Sequence, residues 1–138
     1  MDWPGGRHWL CLLTVAMSEE AERLKERTMR FALDVCHLIK HLPQSEPGPT
    51  IRRQLAKAAT SVAFNYRASC RARSHIEFTA KIGVVAEEAD ESQGWLEFIE
   101  GSRLIGSTEL TRLVGESCEL VAIFSASVGT ARHNQRNR

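Results

Sequence analysis

Proline, aromatic residues and net charge are all scarce in this sequence. Only 4 of 138 residues are Pro and 7% are aromatic, while 43% are hydrophobic. That mix excludes a disordered or low-complexity chain. The 18 Lys+Arg and 17 Asp+Glu leave a formal charge of +1. The total argues against a uniformly basic nucleic-acid binder but is silent about distribution. Cys11, Cys36, Cys70 and Cys118 contain no CxxC pair, and no His stands at zinc-finger spacing from one. A chain of this size buries roughly two-thirds of its unfolded surface without staples. The thiols are therefore expected to be reduced, in a cytoplasmic protein.

Long apolar runs are also missing, and none approaches the roughly 18 residues of a membrane span. The nearest is WLCLLTVAM at residues 9–17, behind a lone Arg7. With one basic residue before it and no small-residue cleavage site after it, it does not read as a secretion signal. Residues 1–17 are read as an N-terminal extension outside the fold, and no membrane partner is expected.

What is present is helical periodicity, four times over, with no strand-like alternation. The first helix is expected over residues 18–42, with Leu24, Thr28, Phe31, Val35, Leu38 and Leu42 on one seam. Pro43, Pro47, Gly48 and Pro49 then end it. The second is expected over 50–71, with Ile51, Leu55, Ala58, Val62, Asn65 and Ser69 as its seam. Small residues at Ala56, Ala59, Ser61 and Ala63 let another backbone approach. The third starts at a capping box, Ser74 with Glu77, each side chain meeting the other's amide. Its seam is Phe78, Ile82, Val85, Ala89, Ser92, Leu96 and Ile99, and Gly101 ends it. The fourth covers 108–131 through Leu110, Leu113, Ser117, Leu120, Phe124 and Val128. Long helices with short connections pack antiparallel. The fold class is all-α, an up-down four-helix bundle over 18–131, followed by a frayed basic tail at 132–138.

The near-zero charge breaks up by segment. Residues 43–75 hold Arg52, Arg53, Lys57, Arg67, Arg71 and Arg73 against Glu46 alone, a net +5. Residues 76–102 hold seven acids against Lys81, a net −6, and the tail adds +3. Neighbouring helices of opposite sign can neutralise each other. The basic one can instead face phosphate backbones.

No reaction class emerges. A di-metal carboxylate bundle needs Glu-x-x-His on two helices, and the nearest approach is Asp34-x-x-His37, once. His37 and His41 could share a metal but lack a third ligand. The GxxxxGS string at 101–107 lacks the phosphate-binding Lys and follows a helix, so it reads as a linker. No catalytic residue, metal or cofactor is assigned. Asn65 falls on an apolar seam, where its amide either fixes register through hydrogen bonds or meets a ligand. Trp95 and Phe98 lie off the third seam, on a surface to be covered by the N-terminal segment or by another subunit.

The stretch QLAKAATSVAFN at residues 54–65, followed by Arg71, Ser74, Glu77 and Phe78, resembles a known signature. It is that of the four-helix bundle family related to the 23S rRNA intervening-sequence protein. Gln54, Ser61, Asn65, Ser74, Glu77 and Phe78 are the structural signature positions. Family members often continue from the Asn with Ile-Ala-Glu-Gly, whereas Tyr66-Arg67-Ala68-Ser69 follows here and makes the stretch more basic. The resemblance implies a non-enzymatic protein that assembles as a homopentamer. The accessory protein of diversity-generating retroelements is similar in fold and engages nucleic acid and a reverse transcriptase. The expected function is thus an oligomer bound to RNA or ribonucleoprotein through Arg52, Arg53, Lys57, Arg67, Arg71 and Arg73. The alternative is a protein scaffold without nucleic acid, its basic and acidic helices pairing between subunits.

Overall fold

A computed structural model describes the backbone of residues 6–138 and the side chains of residues 18–138. Four long helices follow one another: α1 (Gly6–Leu38), α2 (Gly48–Ser69), α3 (His75–Ser102) and α4 (Thr108–Arg136). A single 3-10 turn, Ile39–His41, extends α1. Each helix packs on the next, and α4 closes back on α1. Cross-helix pairs fix the directions. Asp34 meets Arg112 while the earlier Arg27 meets the later Glu116, so α1 and α4 run antiparallel. His75 meets the Ala131 carbonyl and Gln93 meets Cys118, which makes α3 and α4 antiparallel too.

The core is the four seams facing inward. Phe31, Val35, Ile51, Leu55, Ile82, Leu96, Leu113, Leu120 and Phe124 are almost fully buried. Polar seam residues are satisfied within their own helices. Thr28 donates to the Leu24 carbonyl at 2.8 Å, Ser92 to that of Glu88 at 2.8 Å and Ser117 to that of Val114 at 2.7 Å. By composition alone, α4 is long and apolar enough to cross a membrane. Its apolar seam instead faces the bundle, and Gly115, Ala122, Ser125 and Gly129 occupy its outer side.

Several boundaries differ from expectation for local reasons. α1 opens at Gly6 instead of residue 18, while the expected separation of residues 1–17 from the bundle lies outside the described residues. The α-helical part ends at Leu38, not Leu42, because Leu42 precedes Pro43 and is extended, with ψ 148°. α2 begins before residue 50. Pro49 sits in its first turn, where the missing amide does no harm, instead of ending α1. Gly48 is required there, since a Cβ would stand 1.8 Å from the Pro43 carbonyl oxygen. Gly101 does not end α3. The helix runs on to Ser102 and Arg103 takes the left-handed position at φ 58°. Ser107 then caps α4, accepting from the Leu110 amide at 3.1 Å. The tail is not frayed, as α4 remains helical to Arg136.

On α2 the buried position is Tyr66, not Asn65. The Tyr66 ring stacks at a tilt on Phe124 of α4, with centroids 5.4 Å apart. Burial pushes its phenol above the ordinary range, helped by Cys70 and by Glu20 and Glu22 of α1. Asn65 lies half-buried at the margin, its Nδ2 donating to the Ser61 carbonyl at 2.9 Å. It therefore takes part in a helix-internal bond, and neither bridges helices nor projects into the core.

Candidate nucleic-acid interface

The end of α2 and the start of α3 form the most distinctive surface. Phe64, Arg67 and Ala68 share one face of α2 by their three- and four-residue spacing, and Arg71 follows in the turn just beyond its end. The chain then reverses through residues 70–74. Ser74 caps α3 by accepting from the Glu77 amide at 3.1 Å. The return arm of the capping box goes elsewhere: Glu77 Oε2 accepts from the Arg73 amide at 3.0 Å, not from Ser74. The Arg73 amide lies outside both helices and has no helical carbonyl to bond. The reversal brings Arg73 and Lys81 beside Arg67 and Arg71. With Phe64, Ala68 and Glu77 they line a concavity of about 430 Å³.

A second, broader hollow of about 820 Å³ lies on the other side of the same ridge. Arg67 and Arg71 form one wall, and Arg23, Arg30 and Leu33 of α1 stand among those opposite. Arg67 and Arg71 thus border two hollows at once.

Ion pairing divides the cations into two groups. Arg27 pairs with Glu116 and Glu119, and Arg112 with Asp34 and Glu109, which stitches α1 to α4. These bonds hold both guanidinium groups above their usual pKa, led by Glu116 for Arg27 and by Glu109 for Arg112. Among the described residues, Arg30, Arg67, Arg71, Arg73 and Lys81 enter no ion pair.

The six basic residues singled out in the sequence do not form one patch. Arg52 is diverted. Its Nη2 donates to the carbonyls of Leu42 at 3.1 Å and Pro43 at 3.2 Å, where the chain leaves α1. Those carbonyls have no helical partner, and the guanidinium supplies one. Arg53 and Lys57 are exposed farther along α2. Lys57 lies close enough to Glu88 of α3 to oppose the rise in that carboxyl's pKa, a rise led by burial and then by Glu91. Only Arg67, Arg71 and Arg73 are brought together.

Three contributors went unnoticed in the sequence: Lys81, Arg30 and Phe64. Phe64 stands three residues before Arg67, so its place on the basic face was readable from spacing alone. Lys81 and Arg30 belong to other helices and needed the packing. The tail also joins this end of the bundle. His75 Nε2 lies 2.9 Å from the Ala131 carbonyl, which brings the end of α4 to the start of α3, while the Arg132 guanidinium reaches along α3 to Gly83 in a hollow shared with Glu87 and Asp90.

The signature positions fall in different local settings. Gln54 is exposed, Asn65 donates to the Ser61 backbone carbonyl, Ser74 and Glu77 shape the turn, and Phe78 packs against the core. Trp95 and Phe98 contact each other edge to face, centroids 5.9 Å apart, and Phe98 is exposed. Among the described residues, no group of three His, Cys, Asp or Glu is placed to hold a metal. His37 and His41 are exposed, near Ile105 and Glu109.

A family model, that of the 23S rRNA-intervening sequence protein, matches residues 20–126, which takes in all of α2 and α3 and most of α1 and α4. The chain belongs to this family. A crystal structure at 1.70 Å resolution is also similar: a Bacteroides thetaiotaomicron protein of unknown function from the S23 ribosomal protein family. It is 23% identical, with a TM-score of 0.69 over 76% of this chain and 97% of that one. At that identity the likeness speaks for the fold. No curated protein matches the chain. Within the 23S rRNA-intervening sequence protein family fold, Arg67 at the end of α2, Arg71 and Arg73 in the turn and Lys81 of α3 form the candidate site.

Proposed function

We propose that the protein is a non-enzymatic, cytoplasmic homo-oligomer that associates with RNA or ribonucleoprotein through Arg67, Arg71, Arg73 and Lys81. The observation that carries this reading is their grouping without ion pairs, on one concave end of the bundle. Cations left unpaired by their own fold are free to replace the counterions of a phosphate backbone. Such contacts position a nucleic acid without reading its bases. Assembly into a ring, which the family resemblance implies as a pentamer, would repeat the patch and raise avidity. A ribonucleoprotein that carries a reverse transcriptase is one partner of this kind.

The test combines light scattering, absorbance at 260 and 280 nm across the peak, and a salt titration against structured RNA. Four phosphate contacts per subunit predict a log–log slope of about −3. A flat salt dependence, or no binding at low salt, overturns the reading.

One observation favours a scaffold without RNA. Glu88 is crowded by Glu91 and Glu87, with only Lys57 opposing them. Such an acidic stretch suits the basic face of another copy. Replacing Arg67 and Arg71 by Glu separates the two readings. An oligomer that persists while RNA binding is lost supports RNA association, and an oligomer that falls apart supports the scaffold.

A further inference from the structure

We infer that the hollow between α2 and α3 seats unpaired RNA, with Phe64 as a stacking platform for a base; this rests on the RNA reading above and narrows it to single strands. Phe64 is 59% exposed, and with Leu33, Ile76, Val84 and Phe98 it is one of the large hydrophobic side chains left on the surface among the described residues. It is not stranded on a neutral surface. Arg67 follows it on its own helix face, Arg71 stands in the turn just past the helix end, and Lys81 and Arg73 complete the rim of the same hollow. A flat apolar ring inside a rim of cations matches the two halves of a nucleotide, a π-face and a phosphate.

Charge decides among the possible occupants. Four cations surround the ring, against the single carboxylate of Glu77, which is engaged with the Arg73 amide at 3.0 Å. A neutral apolar helix would have to bury those cations without partners, at a cost that grows with desolvation. A polyanion with exposed faces satisfies ring and rim together. An RNA duplex supplies the phosphates but not the face, because its bases are stacked inside and its major groove is too deep and narrow for side chains. Unpaired nucleotides supply both, and aromatic side chains among cations are the general means of holding them. The ridge formed by Arg67 and Arg71 then leads to the second hollow, where unpaired Arg30 and half-exposed Leu33 stand beside the carboxylates of Glu22 and Glu26, so the cation-rimmed ring is confined to the first hollow.

The experiment measures the full-length protein against oligo(U) of roughly 12 nucleotides, a typical site size for such surfaces, and against an RNA duplex of equal length. The variants are Phe64→Leu, which keeps apolar bulk without a flat face, Phe64→Trp, which keeps a ring, and Arg67→Gln. Light scattering accompanies each. Loss of one stacked base lowers single-strand affinity by about 5- to 150-fold. The expected result is a loss of that size for Phe64→Leu, with its salt slope unchanged, its duplex binding unchanged and its oligomer intact. Phe64→Trp should bind the single strand as well as the native protein or better. Arg67→Gln should reduce the slope by about 0.7.

Native-like single-strand binding by Phe64→Leu overturns the stacking platform while RNA association stands. So does an equal loss on the duplex, or an oligomer that dissociates in that variant, which would make Phe64 a subunit contact. Failure of the native protein to bind either RNA at low salt removes the RNA reading itself.

Discussion

Arg112 of α4 donates from Nη2 to Oδ2 of Asp34 on α1 across 2.7 Å. These two helices are the farthest apart in sequence, and their contact closes the bundle. The Asp34 side chain is 19% exposed and that of Arg112 48%, so solvent screens the pair. A double-mutant cycle with Asp34→Asn and Arg112→Gln should return a coupling of roughly 0.5–1 kcal/mol by urea denaturation. In about 1 M salt, where the screening length is near 3 Å, most of that coupling should vanish. A coupling that ignores salt would mean the pair is more buried than its geometry indicates.

Two carboxyls should give acid responses of opposite sign. The hydrogen bond from Arg112 holds Glu109 below the usual carboxylate range. Its contribution is present above the unfolded pKa and is lost as pH falls through the lower folded value. Burial, followed by Glu91, raises Glu88 above that range. Glu88 therefore costs stability near neutral pH, and the cost disappears as pH falls through its folded pKa to below its unfolded one. Glu88→Gln should raise the denaturation midpoint at about pH 7 and change little once both forms are neutral, while Glu109→Gln should lower it at about pH 7. Urea titrations at several pH values decide both.

Arg103 occupies a left-handed conformation, φ 58°, which a glycine adopts at no steric cost. Arg103→Gly should stabilise the protein by about 1 kcal/mol, a rise in Tm of roughly 3–5 °C. Gly101, two residues earlier, is within the helix and has open space where a Cβ would go. Gly101→Ala should therefore also stabilise, by roughly 0.5–1 kcal/mol. Calorimetry reads both shifts, and destabilisation by Gly101→Ala would restore that glycine as the helix terminator.

The exit from α1 depends on two neighbours. At Gly48 a Cβ would stand 1.8 Å from the Pro43 oxygen, which is backbone and cannot rotate away. Gly48→Ala should cost about 3 kcal/mol, at the upper end of ordinary overpacking. Arg52→Ala should cost roughly 1–2 kcal/mol through the unpaired Leu42 and Pro43 carbonyls. In RNA binding the order reverses, with Arg52→Ala nearly silent and Arg67→Ala weakening affinity. Equal effects of Arg52 and Arg67 on RNA, at equal stability, would place both on one binding surface.

The sequence by itself determined the four helices, their seams and the segregation of charge. Those properties depend on near neighbours. Three- and four-residue spacing sets a face, and Ser74 marks a start from within one turn. Even the exceptions were local, since Leu42 unwinds because a proline follows it and Pro49 fits the first turn of α2. Which residues meet was a different matter. Asn65 and Tyr66 stand three and four residues after Val62, so spacing put Asn65 on the α2 seam, whereas packing against Phe124 of α4 made Tyr66 the buried one. The +5 count of the basic segment concealed a division that packing imposed. Arg52 turned inward to the end of α1, and Lys57 came near Glu88 of α3. The candidate site gained Lys81 from α3 and Arg30 from α1, and α4's tail cations were brought to the same end of the bundle. Charges tens of residues apart become neighbours only when antiparallel helices close against one another, and that closure is a property of the packed core.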